Sequence, residues 1–292
     1  MRWRGERESS NVEDRRGAGG GRGLPIGRGG VGIGTIVIAF LAAWLFGINP
    51  MTVLSLLTGG GDLGVGTTQT ETRTGPAPAP QDEGGRFASV VLASTEDAWQ
   101  KIFQQAGVQY RAPTLVLFSG RTPSACGMGD AAAGPFYCPG DGRLYVDLSF
   151  FQVLHQRFGA AGDTAQAYVI AHEVGHHVQN LVGTMDKVQA MRGRTSQAQY
   201  NQLSVRLELQ ADCYAGIWAH HSQQSRQWLE PGDIEEAMKA AAAVGDDNIQ
   251  RQTQGTVVPD AFTHGTSQQR MQWFRKGYET GSVQACDTFA AR

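Results

Sequence analysis

His172-Glu173-Val174-Gly175-His176 constrains this chain more than any other stretch, because its chemistry appears in one backbone conformation. On a helix the two histidines lie one turn apart on one face, so both imidazoles reach one ion and Glu173 projects beside them. The flanking residues predict that helix. Asp163 can cap its start, an apolar face recurs at Ala167, Ile170, Val174, Val178 and Leu181, and Gly183 follows as a stop. H-E-x-x-H on a helix is the pattern of a zinc site with a general base attached, and its plainer alternative is a core helix whose histidines are satisfied by hydrogen bonds. Hydrolytic zinc takes three protein ligands and leaves a fourth position for water, so a third ligand must lie elsewhere. The expectation is one Zn²⁺ per chain, a water whose pKa falls to about 7, Glu173 as its base and a polarised carbonyl as its target, with peptide hydrolysis the natural use.

The next long helical pattern, 197–221, contains Glu208-Leu-Gln-Ala-Asp212, with both carboxylates on one face. Glu208 is the candidate third ligand. Asp212 is placed behind the site, accepting the free N–H of a ligating histidine. A solvated acidic face is the competing reading, but Leu207, Leu209, Ala211, Ala215 and Ile217 make the stretch apolar, and buried carboxylates need partners. His264, in a loop before a capped helix, is a candidate donor to an oxyanion, with Tyr168 and Tyr214 as competitors and local packing as the alternative. His177 points about 100° away from His176, so it cannot easily join the same metal, and is read as either a support behind the ligands or a packing residue. Arg270 and Trp273 are expected to dock their helix.

Elsewhere the pattern predicts helices over 87–93 and 96–105 with Ser94 or Thr95 as the cap between them, and strands over 114–118 and 143–148. Further helices are expected over 150–158, ended by Gly159, and over 231–244, followed by a turn at 245–248. The strands make a small sheet whose edge is placed to hold an extended peptide.

The first 85 residues read differently. Residues 1–30 are Arg- and Gly-rich, which predicts a disordered cytoplasmic tail. Residues 31–57 read as one transmembrane helix, since 31–48 carry no charge over about the length a bilayer requires. Arginines at 2, 4, 7, 15, 16, 22 and 28 precede that run and the next basic residue is Arg73, so the positive-inside rule puts the N-terminus in the cytoplasm and the rest outside. A cleaved signal peptide is the competing reading. Residues 58–85 form a Gly- and Pro-rich linker, and 86–292 the catalytic domain. Four cysteines at 126, 138, 213 and 286 all follow the run, as an oxidising compartment would permit. Three pairings are possible; Cys126 with Cys138, closing a short Gly-rich loop and leaving Cys213 with Cys286, is preferred. A net charge of −2 gives no basic excess, and no nucleic-acid partner is expected.

His172-Glu-Val-Gly-His-His-Val-Gln179, Glu208-Leu-Gln-Ala-Asp-Cys-Tyr-Ala-Gly216 and Phe262-Thr-His-Gly-Thr-Ser-Gln-Gln-Arg270 resemble the bacterial neutral zinc metallopeptidase family of YpfJ type. The resemblance extends to the Arg-rich start, the apolar run, the segment around Cys126, Phe136, Tyr137 and Cys138, and Gly162 to Tyr168. The E-x-x-A-D element is also similar to that of membrane-associated gluzincins, which implies zinc ligation by Glu208. The expected architecture is α+β and mostly helical, a zincin-like metallopeptidase domain with a small sheet behind one N-terminal transmembrane helix. The expected function is a membrane-anchored zinc peptidase of the bacterial inner membrane, its catalytic domain extracytoplasmic and its partner a peptide or protein substrate. An inactive zinc-containing binding module and a hydrolase of non-peptide cell-wall amides are the alternatives.

Overall fold

The computed structural model describes residues 1–17 and 80–290. Its first element, β1 (Val12–Asp14), is followed by α1 (Glu83–Gln105), β2 (Thr114–Phe118), β3 (Arg121–Ser124), β4 (Gly127–Asp130), β5 (Phe136–Cys138) and β6 (Arg143–Asp147). β1 pairs in parallel with β2, Val12 opposite Leu115 and Asp14 opposite Leu117. The expected disordered tail is therefore wrong for residues 1–17, which belong to the same compact unit as the domain. Trp3 is buried, packs edge-on against Phe87 with centroids 5.3 Å apart, and donates its Nε1–H to Asp163 at 2.9 Å.

Among the described residues, the arginines that suggest a cytoplasmic flank have partners in this unit. Arg4 pairs with Glu83, Arg7 with Glu96 and Asp97, Arg15 with Glu13, and Arg16 with Asp14 and Asp82. Composition suggests disorder because the segment has no core of its own; it borrows one from β2 and α1. Placing the N-terminus and the domain on opposite faces of a membrane is incompatible with this pairing. The expected transmembrane helix, 31–57, and most of the linker lie outside the described residues. Among the described residues no helix is long and apolar enough to cross a membrane.

The main sheet has the order β1-β2-β6-β5, with β2–β6 parallel and β5–β6 antiparallel. Leu115, Val116 and Leu117 on β2 and Leu144, Tyr145 and Val146 on β6 are all buried, the continuous apolar run of a strand covered on both faces. β3 and β4 form a separate hairpin, and the Cys126–Cys138 disulfide ties its tip to β5. α1 is one helix where two were expected. Ser94 and Thr95 do not cap; their hydroxyls donate back to the carbonyls of Val91 and Leu92, both at 2.7 Å, which leaves the helix unbroken.

The rest is helical: α2 (Ser149–Phe158), α3 (Asp163–Leu181), α4 (Thr184–Gln189), α5 (Gln197–Arg226), α6 (Asp233–Ala243), α7 (Asp246–Gln254) and α8 (Ser267–Thr280). On α3 the expected cap is displaced by one residue: Gly162 is the N-cap, and Asp163 lies in the first turn and accepts from Trp3. α3 and α5 approach through Gly175, where a Cβ would stand 2.9 Å from the Ala211 carbonyl oxygen. α5 and α8 approach more closely still, because Cβ atoms at Gly216 and Gly277 would fall 2.1 Å from the Phe274 oxygen and 1.9 Å from the Cys213 oxygen. Cys213 also forms the expected disulfide with Cys286. The architecture is mostly helical with small sheets, as an α+β reading requires.

Candidate metal centre

Gly175 and Ala211 are the small residues inside H-E-V-G-H and E-L-Q-A-D, so the contact that joins α3 to α5 also aligns their polar residues. His172, His176 and Glu208 converge, their donor atoms all within 4.8 Å of one another. His172 Nε2 is 3.1 Å from Glu208 Oε2, and His176 Nε2 is 3.3 Å from Glu208 Oε1. Tetrahedral zinc with bonds of about 2.0–2.2 Å sets neighbouring donor atoms roughly 3.3 Å apart, so these separations fit the ion.

The outward nitrogens complete the fit. His172 Nδ1 lies 2.8 Å from Asp212 Oδ1, and His176 Nδ1 lies 2.9 Å from Gln179 Oε1. An Nδ1–H donated to oxygen leaves the Nε2 lone pair for a cation, which is the outer-sphere arrangement of ligating histidines. Asp212 is fully buried and also accepts from the Tyr168 hydroxyl and from Arg270, whose Nε is 2.8 Å from Oδ2. Burial alone would raise the Asp212 carboxyl, but the charge of Arg270 and then that of His172 hold it below its ordinary range. Burial would likewise lower His172, yet the charge and hydrogen bond of Asp212 and the hydrogen bond of Glu208 raise it to about 10 in the metal-free protein. Glu208 is held well below the usual carboxylate range, because His176 and His172 outweigh the effect of burial.

Glu173 is buried beside the cluster. Among the described residues its carboxylate has no hydrogen-bond or ion-pair partner, so it is free to accept from a water. Tyr168 and Tyr214 do not face the centre as donors. Tyr168 is spent on Asp212, and Tyr214 packs against the Trp99 ring with centroids 5.3 Å apart. His264 is half-exposed ahead of α8, and its Nδ1 is 3.2 Å from Asp246 Oδ1. The Asp246 hydrogen bond raises its pKa over the opposing effect of burial, and the charge of Glu208 adds to the rise. Oδ2 of Asp246 accepts the backbone N–H groups of Thr263, His264 and Gly265 at 2.7, 2.6 and 3.0 Å, which fixes the loop carrying the imidazole. His177 packs as expected, bonded to the Tyr137 hydroxyl at 3.1 Å and the Arg111 carbonyl at 2.6 Å.

Sequence reasoning missed Gln179 and Asp246, and gave Arg270 only a docking role. The one advance signal was position. Gln179 stands three residues after His176 on the same helix, and Asp246 opens a helix.

A family model described as "Putative neutral zinc metallopeptidase" matches residues 1–289. The chain is 48% identical over 296 residues to the YpfJ protein of Escherichia coli, covering 99% of each. It is 43% identical over 219 residues to the Rv2575 protein of Mycobacterium tuberculosis, covering 72% of this chain and 73% of that one. Both relatives are described as uncharacterized. No solved structure matches the chain.

Proposed function

The chain belongs to this zinc metallopeptidase family, and from that premise we propose that it hydrolyses peptide bonds in peptide or protein substrates at the His172/His176/Glu208 centre. The observation that carries the reading is the pair of short approaches from Glu208 to both Nε2 atoms while both Nδ1 atoms are engaged by oxygen.

In this reading His172, His176 and Glu208 hold one Zn²⁺ in a zincin-like arrangement. Bound there, zinc supplies a water of lowered pKa, near 7, and polarises the scissile carbonyl. Glu173 takes the proton of the attacking water and passes it to the departing amine. His264, oriented by Asp246, donates to the developing oxyanion. Asp212 holds His172 in the tautomer that leaves Nε2 free. β5, an edge of the main sheet, is anchored to α3 through the Tyr137 hydroxyl, which accepts from Asn180 at 2.9 Å; its outer edge suits an extended substrate.

The test is metal content and casein cleavage by the purified full chain and its Glu173→Ala variant. The expected result is about one zinc per chain in both, with cleavage by the parent alone. Zinc in both with no cleavage of casein or of a peptide library by either would replace the peptidase with a zinc-containing binding module.

A further inference from the structure

His176 has no carboxylate behind it. Its Nδ1–H is received by Gln179 Oε1 at 2.9 Å, and an amide, unlike a carboxylate, can turn over and present N–H₂ in place of oxygen. Turned over, it would meet Nδ1 as a donor, favour the tautomer protonated on Nε2 and remove the lone pair a metal needs. Gln179 is fully buried, and its surroundings forbid that turn: its Nε2 donates to the Leu207 carbonyl at 2.7 Å and to Gln210 Oε1 at 3.1 Å. Reversal would set oxygen against oxygen at both. Gln210, itself buried, is fixed the same way, because its Nε2 donates to the Cys286 carbonyl at 3.1 Å. Cys286 is held in place by its disulfide to Cys213 on α5.

We propose that Gln179 and Gln210 are positioning residues for His176, and that the Cys213–Cys286 disulfide fixes the far end of their amide relay, so that zinc affinity depends on the disulfide being closed. The relay runs from the Cys286 carbonyl through two side-chain amides to the ligand's outer nitrogen, and each member orients the next. A dithiol reduces the Sγ–Sγ bond by two electrons, is oxidised to its own disulfide, and leaves one proton on each of Cys213 and Cys286. The segment carrying the terminal acceptor then loses its covalent tether and is held on α5 only by non-covalent contacts, among them the Thr288 hydroxyl donating to the Arg206 carbonyl at 2.6 Å. The effect on zinc is graded. Gln179 keeps the Leu207 carbonyl when Gln210 is lost, so opening the far end weakens the orientation without abolishing it.

The inference rests on the metal site proposed above but not on peptidase activity, and its readout is the zinc dissociation constant of the full chain, measured against a competing chelator. Gln179→Leu should weaken zinc about tenfold or more, as loss of an outer partner of a ligating histidine does. Gln210→Leu and the Cys213→Ser/Cys286→Ser pair should each weaken it by roughly fivefold, about one hydrogen bond's net contribution. The cysteine pair should add nothing further in the Gln210→Leu background, although it lowers the melting temperature in both. A disulfide that only supports the fold would lower the melting temperature and leave zinc affinity unchanged, or weaken zinc equally with and without Gln210; either result overturns the proposal, as does parental affinity in Gln179→Leu. A parent that binds no zinc overturns the metal site as well.

Discussion

Asp212 is the residue on which the buried polar groups depend, since Tyr168, His172 and Arg270 all direct a donor at its carboxylate. Removing one partner of such a pair leaves a buried charge uncompensated, at a cost of about 3–5 kcal/mol. Asp212→Asn should therefore melt well below the parent even without zinc. The pH dependence has two limbs. Asp212 titrates lower folded than unfolded, so its stabilisation is complete above about pH 4 and fades as pH falls through the depressed folded value. His172 titrates near 10 folded against about 6.5 unfolded, so its stabilisation is complete below about pH 6.5 and is lost as pH rises through about 10. Thermal melts of the zinc-free parent and variant from acid to alkaline pH should show the widest gap between these limits; a gap that does not vary with pH would separate Asp212 from both titrations. The cluster of His172, His176 and Glu208 was legible in the sequence because H-E-x-x-H and E-x-x-A-D place their residues by helical spacing, which is local. Gln179 and Asp246 were not, because an amide or a carboxylate acquires its role from whatever the fold sets opposite it.

At the scale of elements, the centre depends on helices whose surfaces lack side chains where they cross. Gly277 on α8 faces the Cys213 carbonyl on α5, and Arg270, two turns earlier on α8, reaches Asp212 across the same interface. Gly277→Ala would put a methyl group 1.9 Å from that oxygen, so the helices must separate. Overpacking of this kind costs about 1–3 kcal/mol or more, and here it also draws Arg270 away from Asp212. The variant should lose both melting temperature and zinc affinity, whereas Gln268→Ala, on the exposed side of α8, should change neither by more than about 0.5 kcal/mol. A Gly277→Ala protein that melts lower but binds zinc as the parent does would uncouple the crossing from the centre. β2, α3, α5 and α8 were readable because the apolar pattern and its starting boundary agree within each segment to within a residue or so, as at the start of α3. α1 was read as two helices because Ser94-Thr95 has the composition of a cap, and only the packed structure shows both hydroxyls turned back onto the helix.

At the scale of the whole molecule, the described residues limit how any membrane can be crossed. Residues 1–17 supply a strand of the sheet, and Arg16 meets Asp82 at 3.1 Å, so the chain leaves and re-enters one folded unit at nearly the same place. A single crossing between 18 and 79 would set that strand and its sheet in different compartments, which a parallel ladder and an ion pair do not allow. β1 and the sheet that it joins therefore share one compartment. Charge counting placed the two ends on opposite sides because it treated the arginines from 2 to 28 as one flank answerable to the membrane, whereas Arg4, Arg7, Arg15 and Arg16 answer to carboxylates within the folded unit. The two disulfides favour an oxidising compartment for the unit. Cysteines introduced at exposed Ser10 and Gln268 should thus share one fate when intact cells are treated with a membrane-impermeant maleimide, and labelling of both would place the unit outside. Protection of both, with labelling only after lysis, would keep the unit intact and move it inside. Labelling of one and protection of the other would mean that β1 is not paired with β2 in the cell, and the Arg-rich start would return to the separate tail its composition suggests.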